Sequence, residues 1–108
     1  MRAPIIRERD VLKACMDWLA ARRVFHWRAN TGAMLKPYKG KQHFIRFGIQ
    51  GVPDILAVAT LNGKFVGIEC KAPGKDQSVA QKQFQTNLEA AGGRYLLVHS
   101  VEELIEKW

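Results

Sequence analysis

At 108 residues, the chain is expected to form one domain, with room for a hydrophobic core but little surface for handling an extended substrate alone. A formal net charge of +7 and a sequence pI near 9.8 favour a polyanionic partner, while Cys15 and Cys70, far apart and outside any CxxC pair, argue against a disulfide framework or zinc ribbon. No run reaches the roughly 18–20 apolar residues of a membrane span, and Arg2, Arg7, Glu8 and Arg9 stand where a signal h-region would lie, so no membrane association and a cytoplasmic location are expected.

Residues 7–22 carry Val11, Leu12, Cys15, Trp18 and Leu19 at helical spacing, which predicts an amphipathic first helix. Glu8 falls in its first turn and on the inward stripe. Two readings stay open for it: a carboxylate that complements the helix dipole, or one that faces a site. Residues 24–28 alternate bulky side chains and read as a strand that ends at the turn-rich Ala29-Asn30-Thr31-Gly32. Residues 33–43 read as an irregular loop, with Lys36, Tyr38, Lys39 and Lys41 placed either to meet a phosphate backbone or simply to be solvated. Phe44-Ile45-Arg46-Phe47 reads as a short strand. The glycines of Gly48-Ile49-Gln50-Gly51 would then let the main chain approach a ligand, with Arg46 beside it.

Residues 53–60 are almost continuously apolar, as expected of a central strand covered on both faces, and Pro53 is tolerated at its start. Leu61-Asn62-Gly63-Lys64 folds residues 64–71 back as a hairpin partner, so the end of the second strand lies beside the start of the first. A second helix is predicted over residues 77–91, with Phe84, Leu88 and Ala91 on its apolar face and Gly92-Gly93 at its end. Gln77 and Gln81 share that face; Gln81 is either the support of a site or a solvated edge residue, because a buried amide needs partners. Residues 94–98 predict another strand, and Ser100 caps a short last helix.

The hairpin is expected to bring Asp54 beside Glu69. Two carboxylates suit a hard cation such as Mg²⁺ or Mn²⁺. On a strand, Glu69 and Lys71 share a face while Cys70 points the other way, so a cation, two acids and an ammonium converge. That constellation suits phosphodiester hydrolysis. His26, His43 and His99 lack zinc-ligand spacings, and packing or hydrogen bonding is the expectation for each.

The order of elements, with Pro53-Asp54 and Glu69-Cys70-Lys71 on paired strands, resembles the PD-(D/E)xK nuclease superfamily, which implies an α/β fold with a mixed sheet flanked by helices. Glu8, Trp27-Arg28-Ala29-Asn30-Thr31-Gly32, Arg46-Phe47-Gly48, Gly51-Val52-Pro53-Asp54, Glu69-Cys70-Lys71 and Gln81 together resemble the VRR-NUC family across nearly the whole chain, residues 1–108. The resemblance implies that Asp54, Glu69 and the Cys70 carbonyl bind the metal. It implies further that Lys71 orients or activates the attacking water, that Glu8 completes the acidic cluster directly or through water, and that Gln81 supports the lysine or the substrate. It implies a stand-alone, bacterial or phage-encoded endodeoxyribonuclease, a homodimer resolving four-way (Holliday) DNA junctions in DNA repair or recombination, with flap or nick cleavage and non-catalytic nucleic-acid binding as the alternatives. Arg28, Asn30, Lys36, Lys39, Lys41, Arg46, Lys75 and Lys82 are then candidate phosphate contacts. Trp18, Phe25, Trp27 and Trp108 are candidates for a dimer interface or for the core.

Overall fold

The structure is a computed structural model that describes residues 5–29 and 48–108 in full and the backbone of residues 33–38 and 41–46. Its elements are α1 (Glu8–Ala21), β1 (Phe25–Arg28), β2 (Ala33–Tyr38), β3 (Lys41–Arg46), β4 (Ile55–Val58), β5 (Phe65–Cys70), α2 (Val79–Ala90), β6 (Arg94–Val98) and α3 (Val101–Lys107). A mixed four-stranded sheet runs in the order β1-β4-β5-β6, antiparallel except for the parallel pair β5–β6. With the three helices of the described residues this is an α/β fold. No described helix is long and apolar enough to cross a membrane.

The i, i+4, i+8 stripe of α1 buries Val11, Cys15 and Leu19, which pack with Ile55, Ala57, Val66, Ile68, Cys70, Leu96, Val98 and Leu104 into one core between the sheet and the helices α1 and α3. Cys15 and Cys70 are free thiols within it. Trp18 and Trp108 pack edge to face at 6.1 Å against this core. On the opposite face of the sheet α2 packs over β5 and β6, where Gly67 leaves room for Pro53 and Leu88: a Cβ on Gly67 would lie 2.8 Å from the Pro53 ring. Along β5, side chains therefore alternate between an apolar core and the α2 side.

Three expectations change. Residues 33–46, read as a loop and one short strand, form an antiparallel hairpin, β2–β3, with Pro37 opposite Gln42. Such a ribbon has no central strand, so the missing N–H of a proline need not break a ladder on both sides. The central strand β4 is fully buried on one face only; Ile55 and Ala57 are buried while Leu56 and Val58 are half-exposed. Ala91 is exposed, because α2 stops at Ala90 and Ala91 caps it, so Phe84 and Leu88 carry the inward face.

Candidate metal centre

Pro53 is fully buried and Asp54, 6% exposed, directly precedes β4. The Ala29 N–H donates to the Asp54 carbonyl at 2.8 Å, extending the β1–β4 ladder, so the Asp54 main chain is held from the β1 side. Its side chain is held from the β5 side: Oδ2 accepts the buried Cys70 N–H at 2.9 Å. One carboxylate oxygen thus replaces a ladder partner at the end of the hairpin, which fixes where the acid points.

Glu69 is fully buried on the α2 side of β5. Its Oε1 accepts from Gln81 Nε2 at 3.0 Å and lies 3.9 Å from Lys71 Nζ. Its Oε2 is buried with no hydrogen-bond partner among the described residues. Burial first, then the charge of Asp54 and a bond to Asp54 when Glu69 carries the proton, push the Glu69 carboxyl up to about 9; Lys71 pulls the other way. Lys71 follows β5 but is held in strand geometry by its N–H bond to the Val98 carbonyl at 3.0 Å, so it shares the face of Glu69.

Glu8 completes the cluster. Carboxylate oxygens of Glu8, Asp54 and Glu69 all lie within 4.8 Å of one another. The two readings of Glu8 are compatible, since it is in the first turn of α1 and also faces the acids. The cap itself is made by Asp10, whose Oδ2 accepts the Arg7 N–H at 2.9 Å, and this leaves the Glu8 carboxylate for the cluster.

Gln81 is no solvated edge residue. Its Oε1 accepts the Ser78 N–H at 2.7 Å while its own N–H donates to Ser78 Oγ at 3.2 Å, a reciprocal capping box at the start of α2. With the carbonyl end so engaged, the amide nitrogen has one orientation left, toward Glu69. The Ser78-x-x-Gln81 spacing is the sequence signal for this lock, and helical-face periodicity alone does not carry it. Gln77 turns instead to Gln85 at 2.9 Å. Gly51 has φ +77°, and a Cβ there would lie 2.2 Å from the Ala80 carbonyl oxygen. The close approach expected of this glycine is therefore to the first turn of α2, which seats Gln81 over the acids.

Of the candidate phosphate contacts, Arg28 is exposed at the end of β1 and Lys75 is exposed in the loop after β5. Lys82 is exposed and lies 3.8 Å from Asp76. Lys36 sits on β2, and Lys41 and Arg46 begin and end β3. Asn30 and Lys39 lie outside the described residues. His26 Nδ1 is 2.7 Å from the Val24 carbonyl and His99 Nε2 is 2.8 Å from the Lys75 carbonyl, which are structural bonds.

The donor set is three carboxylates, one with an unpartnered buried oxygen, beside one ammonium. Hard divalent cations take such oxygen ligands, and a cation would offset the burial and the neighbouring acids that together raise Glu69. The residues fit a metal. Among known proteins, the chain is 40% identical over 57 residues to "Putative nuclease p44" of Acyrthosiphon pisum secondary endosymbiont phage 1. The match covers 53% of this chain and spans 60% of that protein's length. No protein-family model matches the chain, and no solved structure matches it.

Proposed function

We propose that the chain is a divalent-metal-dependent endodeoxyribonuclease, a single PD-(D/E)xK domain of VRR-NUC type, that acts on branched DNA. The observation that carries this reading is the convergence of Glu8, Asp54 and Glu69 within 4.8 Å, with Lys71 Nζ 3.9 Å from Glu69. The nuclease name of the phage relative supports it.

Asp54 and Glu69 would hold Mg²⁺ or Mn²⁺, with the Cys70 carbonyl and with Glu8 directly or through water. When bound, the cation supplies positive charge that activates water and offsets charge growing on the phosphate, worth several kcal/mol in the transition state. Lys71, on the rim of the cluster, orients the attacking water and adds charge beside the phosphate. Gln81 holds Glu69 from behind and so positions a ligand. Cys70 contributes main chain, its thiol being committed to the core. Arg28, Lys75 and the cations of the β2–β3 hairpin are the proposed phosphate contacts, so log affinity should fall with log salt with a slope of roughly 0.9 per phosphate neutralised.

A homodimer is the proposed assembly, because two-fold symmetry brings two equivalent sites to the two strands that a four-way junction presents. The test is cleavage of a labelled four-way junction beside flap, nicked and linear duplexes, with Mg²⁺ or Mn²⁺ and then with chelator. Paired, symmetric, metal-dependent nicks support a junction resolvase. Preferential flap or nick cutting replaces the substrate but keeps the chemistry. Tight binding without cutting of any DNA overturns the nuclease reading.

A further inference from the structure

Among the described residues, the α2 side of the sheet is only half covered. Beyond the reach of α2, Phe25, Trp27 and Phe65 stand 70%, 39% and 38% exposed. Phe25 and Trp27 are alternate residues of β1 with ring centroids 5.3 Å apart, and Trp27 meets Phe65 edge-on at 6.4 Å, over the half-exposed Leu56 and Val58 of β4. Three aromatic rings exposed together on a sheet face are costly unless something covers them.

Register ties this face to the metal centre. Trp27 pairs with Leu56, and two residues further on the Ala29 N–H reaches the Asp54 carbonyl. Period-two alternation then puts Phe25, Trp27, Leu56, Asp54 and Glu69 on one face. The aromatic stripe leads into the acids along β1 and β4.

Charge says what kind of molecule lies there. Between Asp17 and Asp54 the chain has seven Lys or Arg and no Asp or Glu; outside that interval it has ten of each. The whole net charge of +7 therefore belongs to the segment that contains β1 and the β2–β3 hairpin, and it includes Arg28 beside Trp27. Between Asp54 and Glu69 the only charged residue is Lys64. A second copy of the chain would set this cationic segment against itself, whereas a polyanion with apolar, flat bases complements both the charge and the rings.

We propose that Phe25, Trp27 and Phe65 form a stacking platform for unpaired bases of a DNA strand, which delivers that strand's phosphates to the Glu8–Asp54–Glu69 cluster. This deepens the nuclease reading and rests on it for the identity of the polyanion as DNA. It adds that the preferred substrate has unpaired bases next to the cut. Base stacking on aromatics is sequence-tolerant, since every base offers a π-face, so no base code is needed.

The test uses the full chain in chelator, so that binding is read without cleavage. A labelled 12-nucleotide oligothymidylate and a hairpin-closed duplex of equal charge are titrated against wild type, Trp27→Leu, Phe25→Leu and Trp27→Phe. Trp27→Leu should weaken oligothymidylate binding roughly five- to a hundredfold, Trp27→Phe should stay within about threefold, and duplex binding should move less than about twofold for either. Phe25→Leu, at a site 70% exposed where folding is not at stake, should weaken it in the same direction. Unchanged oligothymidylate binding in Trp27→Leu and Phe25→Leu overturns the proposal, as does an equal loss for duplex. A dimer-to-monomer shift of these variants in light scattering, with oligothymidylate affinity intact, would assign the face to a second copy instead. Platform-dependent binding by a protein that never cuts DNA would uphold the platform and remove the nuclease; cutting of junctions with ring-independent binding would do the reverse.

Discussion

The two faces of β5 divide the labour of the molecule. Val66, Ile68 and Cys70 point into the α1–α3 core and are all fully buried, whereas Gly67, Glu69 and Lys71 point to the α2 side, where the space holds a proline ring, a buried carboxylate and an ammonium. One face stabilises by removing apolar surface from water; the other gathers like charges that burial disfavours. A single residue of register separates them, so a slip of the β4–β5 hairpin by one would put the acids in the core. The Asn62-Gly63 turn, with Gly63 at φ +67° and the Lys64 N–H on Asn62 Oδ1 at 2.9 Å, helps fix that register.

The largest expected separation comes from Lys71→Ala. It should lower metal-dependent cleavage on the order of a thousandfold, about 4 kcal/mol of barrier, while thermal melting stays within about 2 °C, since the side chain is partly exposed and fills no core space. Ile68→Ala should do the opposite. Losing a fully buried branched side chain costs about 2 to 5 kcal/mol of stability, read as a lower urea midpoint, while cleavage per folded molecule at low temperature stays within about threefold.

Glu69→Gln joins the two readouts. The amide keeps an acceptor for Gln81 and removes a buried carboxyl whose ionisation the folded state resists, so in chelator the variant should be more stable than wild type at neutral pH by about 1 to 3 kcal/mol. The sign follows from the raised pKa. Folded wild type holds the proton up to about 9 while the unfolded chain releases it in the ordinary carboxylate range, so the wild type loses stability as pH climbs between those values. The gain of the variant should grow over the same window in urea titrations; a constant difference would mean that Glu69 ionises freely. The same variant should not cleave. Smallest is Gln81→Ala, which frees one Glu69 oxygen and leaves the Ser78 N–H to water: roughly a tenfold loss of cleavage, about 1.4 kcal/mol, with metal affinity lowered alongside it.

Much of this division was legible in the chain. A continuous apolar run, an Asn-Gly turn and a second run ending in Glu-x-Lys dictate a hairpin whose start and finish are neighbours, and the Asp54–Cys70 bond is that juxtaposition in atomic form. The amphipathic period of α1, the Ser100 cap of α3 and Gly92, at φ +91° just past the Ala91 cap of α2, likewise act through local physics. What periodicity missed depends on partners far away in sequence. The β2–β3 ribbon hides behind Pro37 and interspersed lysines because, among the described residues, its strands pair only with each other. Gly51 reads as freedom for a ligand until α2, about 30 residues on, is seen filling the space. The half-covered face of β4 is invisible in an apolar run, which cannot say that α2 is too short and too far toward β6 to cover β1.

Asp54→Asn gives the most direct test of the metal-centred account. The amide oxygen can still accept the Cys70 N–H, so folding should be retained, whereas replacing an anionic ligand should weaken the metal site. The measurement is nicking of a labelled branched DNA by this variant and wild type at equal concentration in Mn²⁺, with melting curves of both. The account predicts loss of nicking on the order of a thousandfold with melting within about 2 °C of wild type. Nicking at the wild-type rate by the folded variant would contradict it.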